Sequence, residues 1–62
     1  RGVKERIHFL YIALGSNSEI ETQLIIAENL SFLSERIATE LKNENQKIGK
    51  QLVNLIKYFE NQ

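Results

Sequence analysis

The residues with the clearest capacity for chemistry lie near the start of the chain. Glu5-Arg6-Ile7-His8 gives the Glu-x-x-His spacing with which ferritin-like bundles place a carboxylate and an imidazole on one helix face. A di-metal site of that kind also needs an inward glutamate at the same height, and antiparallel pairing would bring only Glu60, at a helix end, near His8. We therefore expect a solvent-facing His8 and no metal or cofactor, and keep a di-metal carboxylate bundle as the less favoured alternative.

Three polar residues interrupt apolar positions further along the chain. Glu21 and Glu28 fall in line with Leu10, Leu14 and Leu24 on a helix, so their carboxylates must reach a partner or water. Together with Gln23 they are predicted to form an interhelical polar network. Simple solvent exposure and acid–base chemistry are the alternative interpretations.

Small residues cluster around the same stretch. Gly15-Ser16 falls in the middle of a predicted helix, where glycine costs about 0.8–1 kcal/mol relative to alanine, so a compensating close contact is expected. With Ala13 and Ala27 nearby, we predict close helix packing at Ala13, Gly15, Ser16 and Ala27. A ligand contact at the glycine is the alternative.

Three lysines, Lys47, Lys50 and Lys57, are predicted to project from the outer side of the second helix. Such a row is typical of a solvated face. Its functional interpretation is contact with a nucleic-acid backbone, in which each neutralised phosphate steepens the salt dependence of binding. No catalytic residue is predicted, because no nucleophile accompanies a base and no phosphate-binding loop is present.

Two long helices must position these residues. Proline is absent, and apolar residues recur at helical spacing on both sides of residues 29–34. We predict a helix over about 3–29, a turn over about 30–34 and a helix over about 35–60, in one domain of residues 1–62. Asn29 is expected to end the first helix, and Ser34 to cap the second. A turn this short makes the helices antiparallel.

The predicted hairpin has more apolar surface than it can cover. Ile12, Ile26 and Leu30 lie away from the main apolar side of the first helix, so further helices are expected to pack there. The predicted fold is therefore all-α, an antiparallel helical hairpin forming half of an up-down four-helix bundle. The expected bundle core is made of Ile7, Leu10, Leu14, Ile20, Leu24, Ile37, Leu41, Ile48, Leu52, Leu55 and Phe59, with Ile56 broadening it.

Length and composition agree with a need for partners. A chain of 62 residues with no cysteine has no disulfide, and chains this small usually need a metal, a disulfide or a partner. Eight acidic and eight basic side chains cancel, which disfavours a dedicated nucleic-acid or membrane-surface binder. No apolar run approaches the ~20 residues of a membrane span, and the default expectation is a soluble cytoplasmic protein.

Several segments resemble the four-helix-bundle proteins encoded in intervening sequences of 23S ribosomal RNA genes. The resemblance is carried by Phe9-Leu10-Tyr11-Ile12-Ala13-Leu14-Gly15-Ser16 and Glu19-Ile20-Glu21-Thr22-Gln23-Leu24, and more weakly by Leu33-Ser34 and residues 52–59. Arg1-Gly2 is similar to the end of the turn before the family's third helix. The resemblance covers the C-terminal half of the family's usual length and implies that the partners of Glu21 and Glu28 are arginine and amide groups of the first half.

The resemblance also implies the kind of partner. Members of this family and of its relative, the accessory protein of diversity-generating retroelements, are antiparallel bundles that assemble into rings of pentameric form. We therefore expect a homo-oligomer, or pairing with an N-terminal helical half, and a non-enzymatic interaction or scaffold role. RNA binding, suggested by the retroelement relative, is the alternative function.

Overall fold

A computed structural model describes residues 2–62, which form two α-helices joined by a short turn. Helix α1 spans Val3–Asn29 and helix α2 spans Glu35–Glu60. The helices run antiparallel and contact each other along their length, and their Cα atoms extend over 44 × 15 × 12 Å. The prediction of an all-α helical hairpin is confirmed. The Arg1 part of the Arg1-Gly2 resemblance lies outside the described residues.

The turn is built from two helix caps. Ser31 adopts a left-handed backbone conformation with φ of 64°. This lets the Phe32 amide donate to the Ala27 carbonyl at 2.8 Å and the Ser31 amide to the Glu28 carbonyl at 3.0 Å, the pattern of a Schellman motif. As predicted, Ser34 caps α2: its hydroxyl accepts a hydrogen bond from the Ile37 amide at 3.2 Å. Together the caps reverse the chain direction.

The helices meet along two rows of residues, which we call the contact rows. Each row follows alternating steps of three and four residues, the spacing of a seam between antiparallel helices, and every member is buried or half-buried. The α1 contact row consists of Ile7, Leu10, Leu14, Asn17, Glu21, Leu24 and Glu28. The α2 contact row consists of Ala38, Lys42, Asn45, Gly49, Leu52, Ile56 and Phe59.

This arrangement differs from the apolar seam expected within α2. Ile37, Leu41, Ile48 and Leu55, predicted to be core, are each 40–50% exposed in the hairpin, as is Ile20 of α1. Among residues 2–62, the buried apolar side chains are Ala38 and Ile56. The contact row of α2 is displaced by one residue because an asparagine pair and a glycine fit between the helices. Five of the predicted core residues, Ile20, Ile37, Leu41, Ile48 and Leu55, therefore form a neighbouring row, whereas Ile7, Leu10, Leu14, Leu24, Leu52 and Phe59 lie on the contact rows as predicted residues of the core.

Candidate functional site

The middle of the hairpin is held by a pair of asparagines on the contact rows. Asn17 Nδ2 donates to both the backbone carbonyl and the side-chain Oδ1 of Asn45, at 2.8 Å each. In return Asn45 Nδ2 donates to the Asn17 carbonyl at 2.8 Å. Asn45 is only 6% exposed, so its amide depends on these partners rather than on water. The pair fixes how far one helix is shifted along the other.

Gly49 completes this central contact. A Cβ added at Gly49 would lie 2.7 Å from Asn17 Oδ1, closer than van der Waals contact allows. The absence of a side chain at Gly49 therefore makes room for the Asn17 amide. The close approach of the two helices takes place at Gly49, which the sequence analysis did not select.

The residues predicted to pack closely lie elsewhere. Gly15 and Ser16 are exposed, and a Cβ at Gly15 would meet nothing within 4 Å. Ala13 and Ala27 are half-buried beside the α1 contact row. Within the hairpin, Gly15 does not contact α2, so close packing at Gly15 remains a prediction about contacts outside the hairpin.

The predicted polar residues divide between two surfaces. Glu28 accepts a hydrogen bond from Lys42 of α2 at 3.2 Å, with both side chains about one quarter exposed. The partner of Glu28 in the hairpin is thus an α2 lysine, where the resemblance implied groups of the first half of the family. Glu21 is half-buried on the α1 contact row, whereas Gln23 is exposed. An interhelical network joining all three stays a prediction.

A second pair of rows precedes the contact rows by one residue in each helix, and we call it the apolar stripe. In α1 it consists of Arg6, Phe9, Ala13, Ser16, Ile20, Gln23 and Ala27, and the same spacing continues to Leu30, the residue that caps the helix. In α2 it consists of Ile37, Leu41, Glu44, Ile48, Gln51, Leu55 and Tyr58. One residue is a rotation of about 100°, and in antiparallel helices that face each other this rotation carries both rows to the same side of the seam. The two rows therefore form one surface.

The opposite side of the hairpin is formed by the residues that follow the contact rows, and we call it the polar side. It consists of His8, Tyr11, Gly15, Ser18, Thr22, Ile25 and Asn29 of α1, and of Thr39, Asn43, Gln46, Lys50, Val53, Lys57 and Glu60 of α2. The Tyr11 hydroxyl donates to Glu60 Oε2 at 3.2 Å, which joins the two helices on this side. The hydrogen bond to the Glu60 carboxylate, together with its negative charge, raises the pKa of Tyr11.

A shallow groove runs along the polar side next to Gly49, where the missing side chain leaves space. Its volume is about 450 Å³, and no residue of the apolar stripe contributes to its wall. The groove is lined by Leu14, Asn17, Glu21, Gln46, Gly49, Lys50, Val53 and Asn54. Its chemistry is that of three amides, one carboxylate and one ammonium group around a small apolar floor.

The predicted lysines and the Glu-x-x-His residues are all at the surface. Lys47, Lys50 and Lys57 are exposed, with Lys50 and Lys57 on the polar side. His8 is exposed and its ring lies 6.1 Å from the Phe9 ring. Among residues 2–62, no group of three or more histidine, cysteine or carboxylate side chains is placed to hold a metal ion. Neither described helix is long and apolar enough to cross a membrane.

Sequence reasoning missed Asn17, Asn45 and Gly49, although a signal was present. Asn17 and Asn45 occupy positions of three-and-four-residue repeats, where a buried asparagine commonly fixes the register of paired helices. Gly49 lies within a helix, with no turn residue near it. By the reasoning that was applied to Gly15, such a glycine indicates a close contact between helices. These residues position the hairpin and carry no reactive group.

Comparison with known proteins identifies the family. No curated protein and no solved structure is similar enough to this chain to count as a match. A family model described as 23S rRNA-intervening sequence protein matches residues 1–54, most of the chain. The match covers α1, the turn, the asparagine pair and most of the apolar stripe. The chain therefore belongs to the family of 23S rRNA-intervening sequence proteins.

Proposed function

We propose that this protein is a non-enzymatic interaction protein that self-associates through its apolar stripe and so completes a four-helix bundle. The observation that carries the proposal is the exposure of five aliphatic side chains on one side of the hairpin. Ile20, Ile37, Leu41, Ile48 and Leu55 are each 40–50% exposed there. The family description names where its members are encoded and states no activity.

The weakness of the hairpin's own core supports this proposal. At its centre the seam holds Asn17, Asn45 and Gly49, and near the turn it holds the Glu28–Lys42 ion pair. Polar contacts of this kind fix geometry but contribute little net free energy, about 0.5–1.5 kcal/mol for each hydrogen bond. Apolar burial contributes about 25 cal/mol per Å², and much of the apolar surface lies on the stripe. Covering the stripe would therefore supply stabilisation that the seam lacks.

The size of the surface also fits a stable interface. The two helices present a side of 44 × 15 Å measured between Cα atoms, and side chains widen it further. A standard protein interface buries roughly 800 Å² on each partner. One side of the hairpin is therefore large enough to hold a second copy of the chain.

Sedimentation equilibrium over a dilution series tests this proposal. We expect a mass that is a multiple of the 7.2 kDa chain at high concentration, and helix loss on dilution, because the uncovered hairpin is weakly stable. A folded monomer of constant helicity at every concentration would overturn the proposal. That result would leave the stripe to another occupant, such as the preceding pair of helices implied by the resemblance.

A matched pair of substitutions locates the interface. Ile48→Glu and Gln46→Glu each add one negative charge to the same turn of α2, the first on the apolar stripe and the second on the polar side. We expect Ile48→Glu to weaken association by about 100-fold or more, because each copy loses roughly 1.5–3 kcal/mol of apolar burial. Gln46→Glu should leave association unchanged, and equal effects of the two substitutions would contradict a specific role for the stripe.

RNA binding is the second candidate function, and the placement of the lysines favours it. Lys50 and Lys57 lie on the polar side and Lys47 on the back of α2, so all three stay accessible when the apolar stripe is covered. Neutral net charge limits this binding to local contacts.

Affinity for a single-stranded RNA, measured over a range of salt concentrations, tests the RNA proposal. Replacing Lys47, Lys50 and Lys57 by alanine should reduce the salt slope by about 2, since each phosphate contact contributes about 0.7. Replacement of the same residues by arginine should preserve the slope. Binding that is indifferent to the alanine substitutions would exclude this lysine row as the RNA contact.

A further inference from the structure

The apolar stripe has nearly the same chemical order when it is followed from either end. In each helix an isoleucine, Ile20 or Ile48, lies near the middle of the row. On both sides of it come a polar residue, then an aliphatic residue, then a large apolar one, which is Phe9 or Leu30 in the first row and Ile37 or Tyr58 in the second. In α1 the two polar residues are Ser16 and Gln23, and in α2 they are Glu44 and Gln51. When two rows with this order run in opposite directions, polar residues come opposite polar residues and apolar residues opposite apolar ones.

The hairpin aligns the two rows. The contacts of Asn17 with Gly49 and of Glu28 with Lys42 fall on either side of the level at which Ile20 and Ile48 would be opposite each other. Ile20 therefore lies within about one turn of Ile48 in height. Contacts nearer the ends, including Tyr11 with Glu60, agree with this alignment. The polar residues of α1 and α2 therefore also lie at similar heights along the hairpin.

We propose that two copies of this chain pack stripe to stripe around a two-fold axis parallel to the helices, so that α1 of each copy lies against α2 of the other. This inference rests on the proposed self-association and specifies its geometry. A rotation about that axis leaves every residue at its own height. Ile20 then faces Ile48 of the second copy, and no sliding between copies is needed to match the rows.

Side-chain volume separates this arrangement from its rival. A two-fold axis perpendicular to the helices would place α1 against α1 and α2 against α2. Ala13 would then face Ala27, and Leu41 would face Leu55. Small residues would meet between the two α1 helices and large residues between the two α2 helices, so the four helices could not pack at an even distance. In the proposed arrangement, Ala13 faces Leu55 and Ala27 faces Leu41, so small residues receive large ones. Facing positions that alternate in size give the dense packing of protein cores.

Polar residues are also satisfied in the proposed arrangement. The Gln23 amide can donate to the Glu44 carboxylate of the second copy, and Ser16 lies opposite Gln51. The polar groups that interrupt the apolar stripe therefore meet each other rather than an aliphatic side chain, which avoids unpaired burial. The polar side, with its groove and the lysines Lys50 and Lys57, remains open to solvent in this dimer.

Single-cysteine variants test the geometry directly, because the natural chain has no cysteine. Ser16→Cys, Gln51→Cys and Gln23→Cys each replace an exposed side chain. Mixed in pairs and mildly oxidised, Ser16→Cys with Gln51→Cys should give a mixed disulfide in at least tenfold excess over Ser16→Cys with Gln23→Cys. The rival arrangement predicts the reverse ratio, which would overturn the inference.

Two controls keep the result independent of the proposed function. Ser18→Cys mixed with Lys50→Cys samples similar heights on the polar side and should give no more mixed disulfide than random collision. Sedimentation of the reduced variants shows whether they associate. Association with the reversed cross-linking ratio, or with no preference for the Ser16–Gln51 pair, refutes this geometry and leaves self-association standing. Monomeric behaviour of the natural chain refutes both.

Discussion

The contact rows and the apolar stripe are neighbours, one residue apart in each helix, and polar and apolar side chains are not divided between them according to burial. The contact rows are buried or half-buried and carry Asn17, Asn45, Gly49 and the Glu28–Lys42 ion pair. The stripe is mostly exposed and carries Ile20, Ile37, Leu41, Ile48 and Leu55. The inner surface is thus partly polar, and much of the apolar surface faces outward.

This contrast separates two roles that one core often combines. Directional hydrogen bonds in the contact rows determine which residues of the two helices face each other. Apolar burial, which is non-directional and roughly proportional to area, is incomplete, because five aliphatic side chains of the stripe remain 40–50% exposed. A hairpin built in this way has a defined register, and covering the stripe would add to its stability.

The largest expected effect comes from breaking the asparagine pair. Asn45→Ala removes the side-chain acceptor and donor that Asn17 uses, and we expect a loss of about 2 kcal/mol in the free energy of unfolding. Asn43→Ala, on the polar side of the same helix, is the matched control and should change stability by about 0.5 kcal/mol or less. Urea unfolding at one fixed protein concentration measures both.

A double-mutant cycle sharpens that prediction. Asn17→Ala combined with Asn45→Ala should cost clearly less than the sum of the single substitutions, because either one alone removes the hydrogen bond between the two side-chain amides. Strict additivity would show that the pair does not act as a unit and that register is fixed elsewhere.

The two mid-helix glycines are expected to respond in opposite directions. Gly49→Ala places a Cβ 2.7 Å from Asn17 Oδ1, so the asparagine pair must shift. We expect a net loss of about 1 kcal/mol, because the strain of overpacking exceeds the gain in helix propensity. Gly15→Ala meets open space in the hairpin and should gain about 0.8–1 kcal/mol from helix propensity. Thermal unfolding of both variants at equal concentration measures the difference.

The Gly15 variant also tests a prediction that the hairpin leaves open. If another helix packs closely on Gly15, as the sequence indicated, Gly15→Ala will weaken association while stabilising the dilute hairpin. A gain in stability at every concentration would instead show that Gly15 has no close neighbour.

The smallest expected effect concerns the polar side. The carboxylate of Glu60 raises the Tyr11 pKa through a hydrogen bond and its charge, so Glu60→Gln should lower that pKa, measured by absorbance titration in a Tyr58→Phe background. A folded-state pKa above the unfolded value contributes stability below the unfolded pKa, and this contribution is lost as pH rises through the folded pKa. Stability should therefore fall slightly in strongly alkaline solution, and less so in Glu60→Gln.

Much of the hairpin could be predicted from local sequence. The absence of proline, the helical spacing of apolar residues and the Ser34 cap are local features, and they indicate two helices with a turn over about 30–34. The family could also be identified, because its resemblance depends on contiguous segments that include residues 9–16 and 19–24. Whether Gly15 or Gly49 packs against the other helix could not be decided in this way, because both are mid-helix glycines.

The sequence by itself determined that α1 and α2 form, where they reverse direction, and that they carry more apolar residues than two helices can cover. Only the tertiary structure decided which row of each helix faces the other. Hydrophobic spacing favoured Ile37, Leu41, Ile48 and Leu55, yet the seam passes through Ala38, Asn45 and Ile56, one position later. The reason is that Asn17, Asn45 and Gly49 fit each other in shape and hydrogen bonding across 28 or more residues of chain, and local periodicity contains no information about such a distant match.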